Sequence, residues 1–167
     1  MKKKVLILLA GLLATSAFFV GCGEQTPKET DKGSVGEYYI EIGESKVSFD
    51  SEDNDILVVS YTFTNNSDHT QNFYFSTSRK YFQDGIQLDP VIPGRMTEEY
   101  ENNYKEVQPG ATITVEDAVG LKNTDSPVDV ELTPLVGQGK GKVSKTFTMP
   151  EKNSVKIKKR PYPAPTG

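Results

Sequence analysis

One cysteine, one histidine and no tryptophan occur among the 167 residues of this chain. A single cysteine excludes any disulfide within the chain, so its folded part is held by its core alone. One histidine and one cysteine also leave too few ligands for a zinc site, which takes three or four His, Cys or carboxylate side chains. No metal and no cofactor is expected. No apolar run reaches the roughly 20 residues that a spanning helix needs; the longest, residues 5–20, has 16. A phosphate-cradling G-x-x-x-x-G-K-[ST] loop is missing as well. The glycines of Gly137-Gln138-Gly139-Lys140-Gly141-Lys142 lack its spacing and its following helix, and a hairpin loop is the expected reading there. Nor is there an excess of basic charge. The formal net charge is −4, which disfavours nucleic acid, since phosphate contacts need clustered Lys and Arg.

What is present begins with Lys2-Lys3-Lys4, followed by the short apolar run. A positive start and an apolar stretch too short to span read as a secretory signal. The run ends in Phe19-Val20-Gly21-Cys22, which resembles the bacterial lipobox, with Phe19 where leucine is usual. The resemblance implies cleavage before Cys22 and a diacylglycerol on its thiol. Residues 1–21 are then the signal peptide, and membrane lipid is a partner through Cys22. The competing reading is an ordinary signal peptide, which leaves a lone cysteine at the end of the apolar run unexplained. Removal of residues 1–21 takes three lysines from the 19 basic residues, leaving 16 against 23 acidic ones and a net charge of −7.

Residues 22–36 are polar, carry Gly, Pro and Thr, and show no periodicity. They read as a flexible tether, lifting the domain about 20 Å by random-coil scaling. Residues 37–150 are expected to form the folded domain. Its clearest stretch is Ile56-Leu57-Val58-Val59-Ser60-Tyr61-Thr62-Phe63-Thr64. Leu57, Val59, Tyr61 and Phe63 share one face and predict a half-buried strand whose inward side chains are core. Asn65, Asn66 and Asp68 end it with turn chemistry. The same alternation appears at Tyr38, Ile40 and Ile42, at Phe73 and Phe75, at Ala111, Ile113 and Val115, at Val128, Val130 and Leu132, and over residues 143–149. Residues 118–121 read as a further short strand. Asp84-Gly85 predicts a tight hairpin turn. Residues 97–104 admit a short helix with Thr97 as its cap. Residues 151–167 carry Lys152, Lys156, Lys158, Lys159 and Arg160 and end in a proline-rich run, so a disordered basic tail is expected. Seven or eight short strands between turns predict an all-β fold, an antiparallel immunoglobulin-like β-sandwich.

Residues 58–67, 83–88 and 107–110, with Ser126-Pro127-Val128, carry a resemblance to bacterial lipoproteins with a telokin-like, immunoglobulin-like domain of unknown function. That resemblance covers residues 37–149. It implies a surface lipoprotein of Gram-positive bacteria, lipid-anchored on the extracellular face of the cell membrane, and it supplies no active site.

The candidates for chemistry are few. Ser67, Asp68 and His69 are adjacent in a turn, where consecutive side chains diverge, and a triad is a spatial arrangement rather than a tripeptide. The acidic stretch of residues 50–55 has Asp55 and Tyr61 where a calcium loop wants Gly and Glu, so a solvated hairpin turn is favoured over an ion site. The longest loop, residues 89–108, is charged and carries Tyr100 and Tyr104, flat amphipathic side chains suited to stacking on a sugar or a partner protein. These two are the candidate ligand-binding residues. The expected function is a non-catalytic, membrane-anchored binding module meeting an envelope protein or polymer. The alternative is an accessory domain or enzyme acting on envelope polymers outside the membrane.

Overall fold

The structure, a computed structural model, describes residues 30–135 and 139–149. The signal segment, Cys22 and residues 150–167 lie outside the described residues. Eight strands form two antiparallel four-stranded sheets. The first sheet has the order β1-β2-β3-β6, with β1 at Lys32–Val35, β2 at Tyr38–Phe49, β3 at Asp55–Asn65 and β6 at Thr112–Gly120. The second has the order β5-β4-β7-β8, with β4 at Thr77–Gln83, β5 at Ile86–Gln87, β7 at Val128–Pro134 and β8 at Val143–Phe147. With β2, β3 and β6 as A, B and E, and β4, β7 and β8 as C, F and G, this is the immunoglobulin arrangement.

The core follows from the alternation. Leu57, Val59, Tyr61 and Phe63 of β3 are all buried and meet Val128, Val130 and Leu132 of β7 in one cluster. Phe63 is the hub of its rings, 5.2 Å from Tyr38 and 5.7 Å from Phe73. β2 needs a bulge between Ile42 and Ser45 to follow the twist of β3. Gly43 permits it, because a Cβ there would lie 2.5 Å from the Ser60 hydroxyl.

Four expectations need correction. The tether ends earlier than residue 36: β1 pairs with β2, and its one apolar side chain, Val35, is fully buried. Gly36 and Glu37 form the two-residue turn between them, with Gly36 at φ 61°. The strand expected at Phe73 and Phe75 starts as a helical turn instead, α1 at Phe73–Ser76, because the Asn72 side chain accepts the Phe75 amide at 2.9 Å. Phe73 is therefore buried while Phe75 is exposed. The strand at 111–115 and the one at 118–121 are a single strand, β6, paired along its length with β3. Finally, β3 is buried on both faces: Ile56 and Val58 form a second small cluster with Ala118, covered by Val91 and Tyr100. The segment that does the covering contains α2 at Glu98–Glu101 and a 3₁₀ turn at Asn102–Tyr104. Thr97 caps α2 as expected, accepting the Tyr100 amide at 3.1 Å. Asp84 and Gly85, both at positive φ, make the β4–β5 hairpin turn.

Candidate functional site

A pocket of about 310 Å³ opens on one side of the sandwich. Arg79 and Tyr81 of β4 and Asp117 and Val119 of β6 line its inner wall. Leu88, Val91 and Ile92 line it as well; the partly exposed Tyr74 and Tyr104 stand at its mouth, and Tyr100 and the buried Asn103 complete the lining.

The wall is an inter-sheet polar network built at positions where a sandwich normally places apolar side chains. Asp117 shares the inward parity of Val115 and Val119, and Arg79 that of Tyr81. Arg79 Nε donates to Asp117 Oδ2 at 2.9 Å, and the two side chains are only 11% and 15% exposed. Tyr81 donates to the same oxygen at 3.0 Å. Its only proton is thereby used, so at 2.7 Å it accepts from the Tyr61 hydroxyl. The other oxygen, Asp117 Oδ1, accepts the Ala118 amide at 3.1 Å. Arg79 Nη1 reaches Thr77 Oγ1 at 3.1 Å, and the guanidinium lies 5.0 Å and 4.9 Å from the ring centres of Phe73 and Tyr74, a cation–π sandwich. Burial, with the Asp117 charge as a further cause, pushes the phenols of Tyr61 and Tyr81 far above their ordinary range. Neither ionises near neutral pH.

Buried amides hold the mouth to the edge of β6. Asn102 Nδ2 donates to the Thr114 carbonyl at 2.9 Å. Asn103 Nδ2 donates to the Tyr100 carbonyl at 2.8 Å and also to that of Glu116. Those two carbonyl acceptors fix the amide's orientation and leave Oδ1 as the remaining acceptor. Asn103 is 3% exposed, and its Oδ1 has no partner among the described residues. An unpaired buried acceptor of this kind costs about 1–3 kcal/mol.

The two sequence candidates meet here but play different parts. Tyr104 is 54% exposed, and its ring centre lies 4.8 Å from that of Tyr74, itself 41% exposed. Tyr100 is half-buried against Ile56, Val58 and Ala118, and its hydroxyl lies 3.4 Å from the Val91 carbonyl. Burial, and then the Asp117 charge, raises its phenol pKa. Sequence reasoning missed Tyr74, Arg79, Tyr81, Asn103 and Asp117. A readable signal existed for two of them, since Arg79 and Asp117 are charges at core-facing positions.

The other candidates lie elsewhere. Among the described residues the imidazole of His69 pairs with Asp68, at 3.2 Å, with both side chains exposed, while the Ser67 hydroxyl turns to Asn65 Oδ1 at 2.7 Å. Asp50 spends its carboxylate on its own hairpin: Oδ1 accepts the amides of Glu52 and Asn54, and Oδ2 the Asn54 side chain at 3.0 Å. The Asn54 side-chain bond first, then its amide, lowers the Asp50 pKa. Among the described residues no three His, Cys, Asp or Glu side chains are grouped as a metal site. Cys22 lies outside the described residues.

A two-sheet β-sandwich with a lateral pocket is the class this geometry defines. The chain belongs to the family described as a domain of unknown function, DUF5067, whose profile matches residues 24–134. It is similar in fold to a protein from Enterococcus faecalis solved by NMR, with 16% identity and a TM-score of 0.55 over 73% of this chain and 92% of that one. An uncharacterized β-sandwich protein from Clostridium difficile 630 aligns at 14% identity and a TM-score of 0.49, over 71% and 90% of the two chains. The yjhA protein from Bacillus subtilis aligns at 10% identity and 0.49, over 74% and 99%. No curated protein matches the chain.

Proposed function

We propose that this protein is a lipid-anchored module on the extracellular face of the cell membrane that binds an envelope component, without catalysis, at the lateral pocket. The carrying observation is the mouth: two partly exposed, mutually packed tyrosines beside a buried acceptor without a partner. Aromatic side chains over a concave, partly apolar site with a few fixed polar groups are what ligand sites present. The non-catalytic reading is supported by the state of the wall. Both Asp117 oxygens carry hydrogen bonds, and the Tyr61 and Tyr81 phenols hold their protons far above pH 7, whereas a general acid or base works near the operating pH.

The anchor is Cys22, supported by the Lys2-Lys3-Lys4 start and the short apolar run. Two acyl chains at about 0.8 kcal/mol per buried CH₂ hold a protein firmly. Cys22 lies eight residues before Thr30, which bridges to Ser144 of the domain, so that bridge sits within about 28 Å of the acylated end. Two experiments test the reading. Cys22→Ser moves the protein from membrane to medium on cell fractionation; an unchanged distribution overturns the anchor. Pull-down of the lipidated protein from its own envelope recovers a component that Tyr74→Ala/Tyr104→Ala loses; equal recovery by the folded double variant moves the binding site elsewhere.

A further inference from the structure

From the chemistry left open in the pocket we infer that its ligand is a single uncharged, polyhydroxylated ring, the pyranose unit of a neutral saccharide. The inference rests on the binding reading above and names the class of ligand. Size sets the first limit. At about 310 Å³ the pocket is at the small end of ligand sites, which run from about 300 to 1,000 Å³, and it suits one ring rather than an extended chain. Charge sets the second. Arg79 is the cation of the inner wall and Asp117 the anion, and each already neutralises the other at 2.9 Å. A charged ligand would be desolvated there with no counter-charge to meet it.

The open hydrogen-bonding positions narrow the choice further. The Oδ1 atoms of Asn102 and Asn103 both lack a partner among the described residues, and Asn103 is the one of the two that lines the pocket, where its Oδ1 needs a donor. Arg79 spends Nε on Asp117 and Nη1 on Thr77, so the acceptor is the open position the structure defines. A ring hydroxyl supplies that donor without bringing a charge into the pocket. The exposed Tyr104 ring, backed by Tyr74 at 4.8 Å, gives the flat apolar surface on which the C–H face of a sugar rests. The chain's own proline-rich end, Pro161-Tyr162-Pro163-Ala164-Pro165, is an attractive rival for an aromatic pocket. Its flank, however, brings the cations Lys156, Lys158, Lys159 and Arg160 to a wall whose anion Asp117 is already paired with Arg79.

The test is a titration of the mature lipidated protein, held in a detergent without a sugar headgroup, followed by NMR of the Asn103 side-chain amide and the tyrosine rings. The probes are glucose, galactose, N-acetylglucosamine, galacturonate and a peptide of residues 156–165. The expected result is a saturable shift with at least one neutral sugar, weaker by about tenfold in Tyr104→Ala and in Tyr74→Ala, and unchanged in Tyr39→Ala, an exposed tyrosine outside the pocket. Galacturonate binding as tightly as galactose overturns the neutral class. A shift with the peptide and with none of the sugars overturns the saccharide and leaves the binding reading standing. No shift with any probe overturns the saccharide as well, and the envelope pull-down then decides separately whether the pocket binds at all.

Discussion

The two lateral edges of this sandwich are closed by different means. At the β1–β8 edge the main chain does the work. Ser144 donates its amide to the Thr30 carbonyl at 2.9 Å, Gly36 donates to the Lys140 carbonyl at 2.8 Å, and Lys145 Nζ reaches the Gly43 carbonyl at 2.6 Å. The backbones approach so closely that a Cβ on Gly141, at φ 113°, would sit 2.1 Å from the Ser34 carbonyl oxygen. At the β5–β6 edge the main chain also crosses, with Val91 donating to the Ala118 carbonyl and Gly120 to the Asp89 carbonyl, both at 3.0 Å. Here, though, buried side chains bridge the sheets beside that crossing, Arg79 to Asp117 and Tyr81 to Asp117, and the covering segment with α2 lies over β6. The difference between the edges is the set of long side chains, Arg79, Tyr81 and Asp117, that lines a pocket beside the crossing at β6. A connection as long as residues 89–108 is uncommon inside a compact domain, and here it has a structural role as a cover.

The comparison breaks most severely at Asp117. Asp117→Ala strands a buried guanidinium and costs about 3–5 kcal/mol in urea denaturation, while Arg79→Met/Asp117→Leu recovers most of that loss. If the single and double variants unfold alike, the pair is not what holds the open edge. Gly141→Ala strikes the sealed edge through a positive φ and a backbone clash, and about 1–3 kcal/mol is the expected loss by the same measurement.

Alkali separates the edges by a smaller effect. The folded pKa values of Tyr61 and Tyr81 are raised above the ordinary value of 10.0, so the folded state keeps protons that the unfolded chain gives up. Their contribution is complete below about pH 10 and is lost above it, at about 1.4 kcal/mol per pH unit for each tyrosine. Tyr61→Phe therefore lowers the slope of stability against pH above 10 by about half of the two-tyrosine total. An unchanged slope would mean that Tyr61 is not in the network. The smallest effect is Thr97→Ala, which removes the α2 cap and its 2.7 Å bond to Glu116 and costs about 1 kcal/mol.

Much of the scaffold was legible in the residues. The alternation of Leu57, Val59, Tyr61 and Phe63, the Asp84-Gly85 turn and the Thr97 cap are local signals, and each appears where local rules put it. β1 was not legible, because one apolar residue, Val35, carries no periodicity and the strand exists through its pairing with β2. The helical turn at Phe73–Ser76 was hidden because two phenylalanines two apart mimic a strand, while the Asn72 cap decides otherwise. The site was half legible. Tyr100 and Tyr104 stood out by composition, but the wall depends on Arg79 meeting Asp117 across 38 positions of chain, and a contact between sheets leaves no local spacing to read.

The central claim, that the open edge is the binding face, is tested most directly by hydrogen exchange of the mature protein with and without its solubilised envelope fraction. The account predicts added protection at residues 88–104 and along β6, and none at β1 and β8. Protection confined to β1 and β8, with the cover exchanging as before, would contradict it.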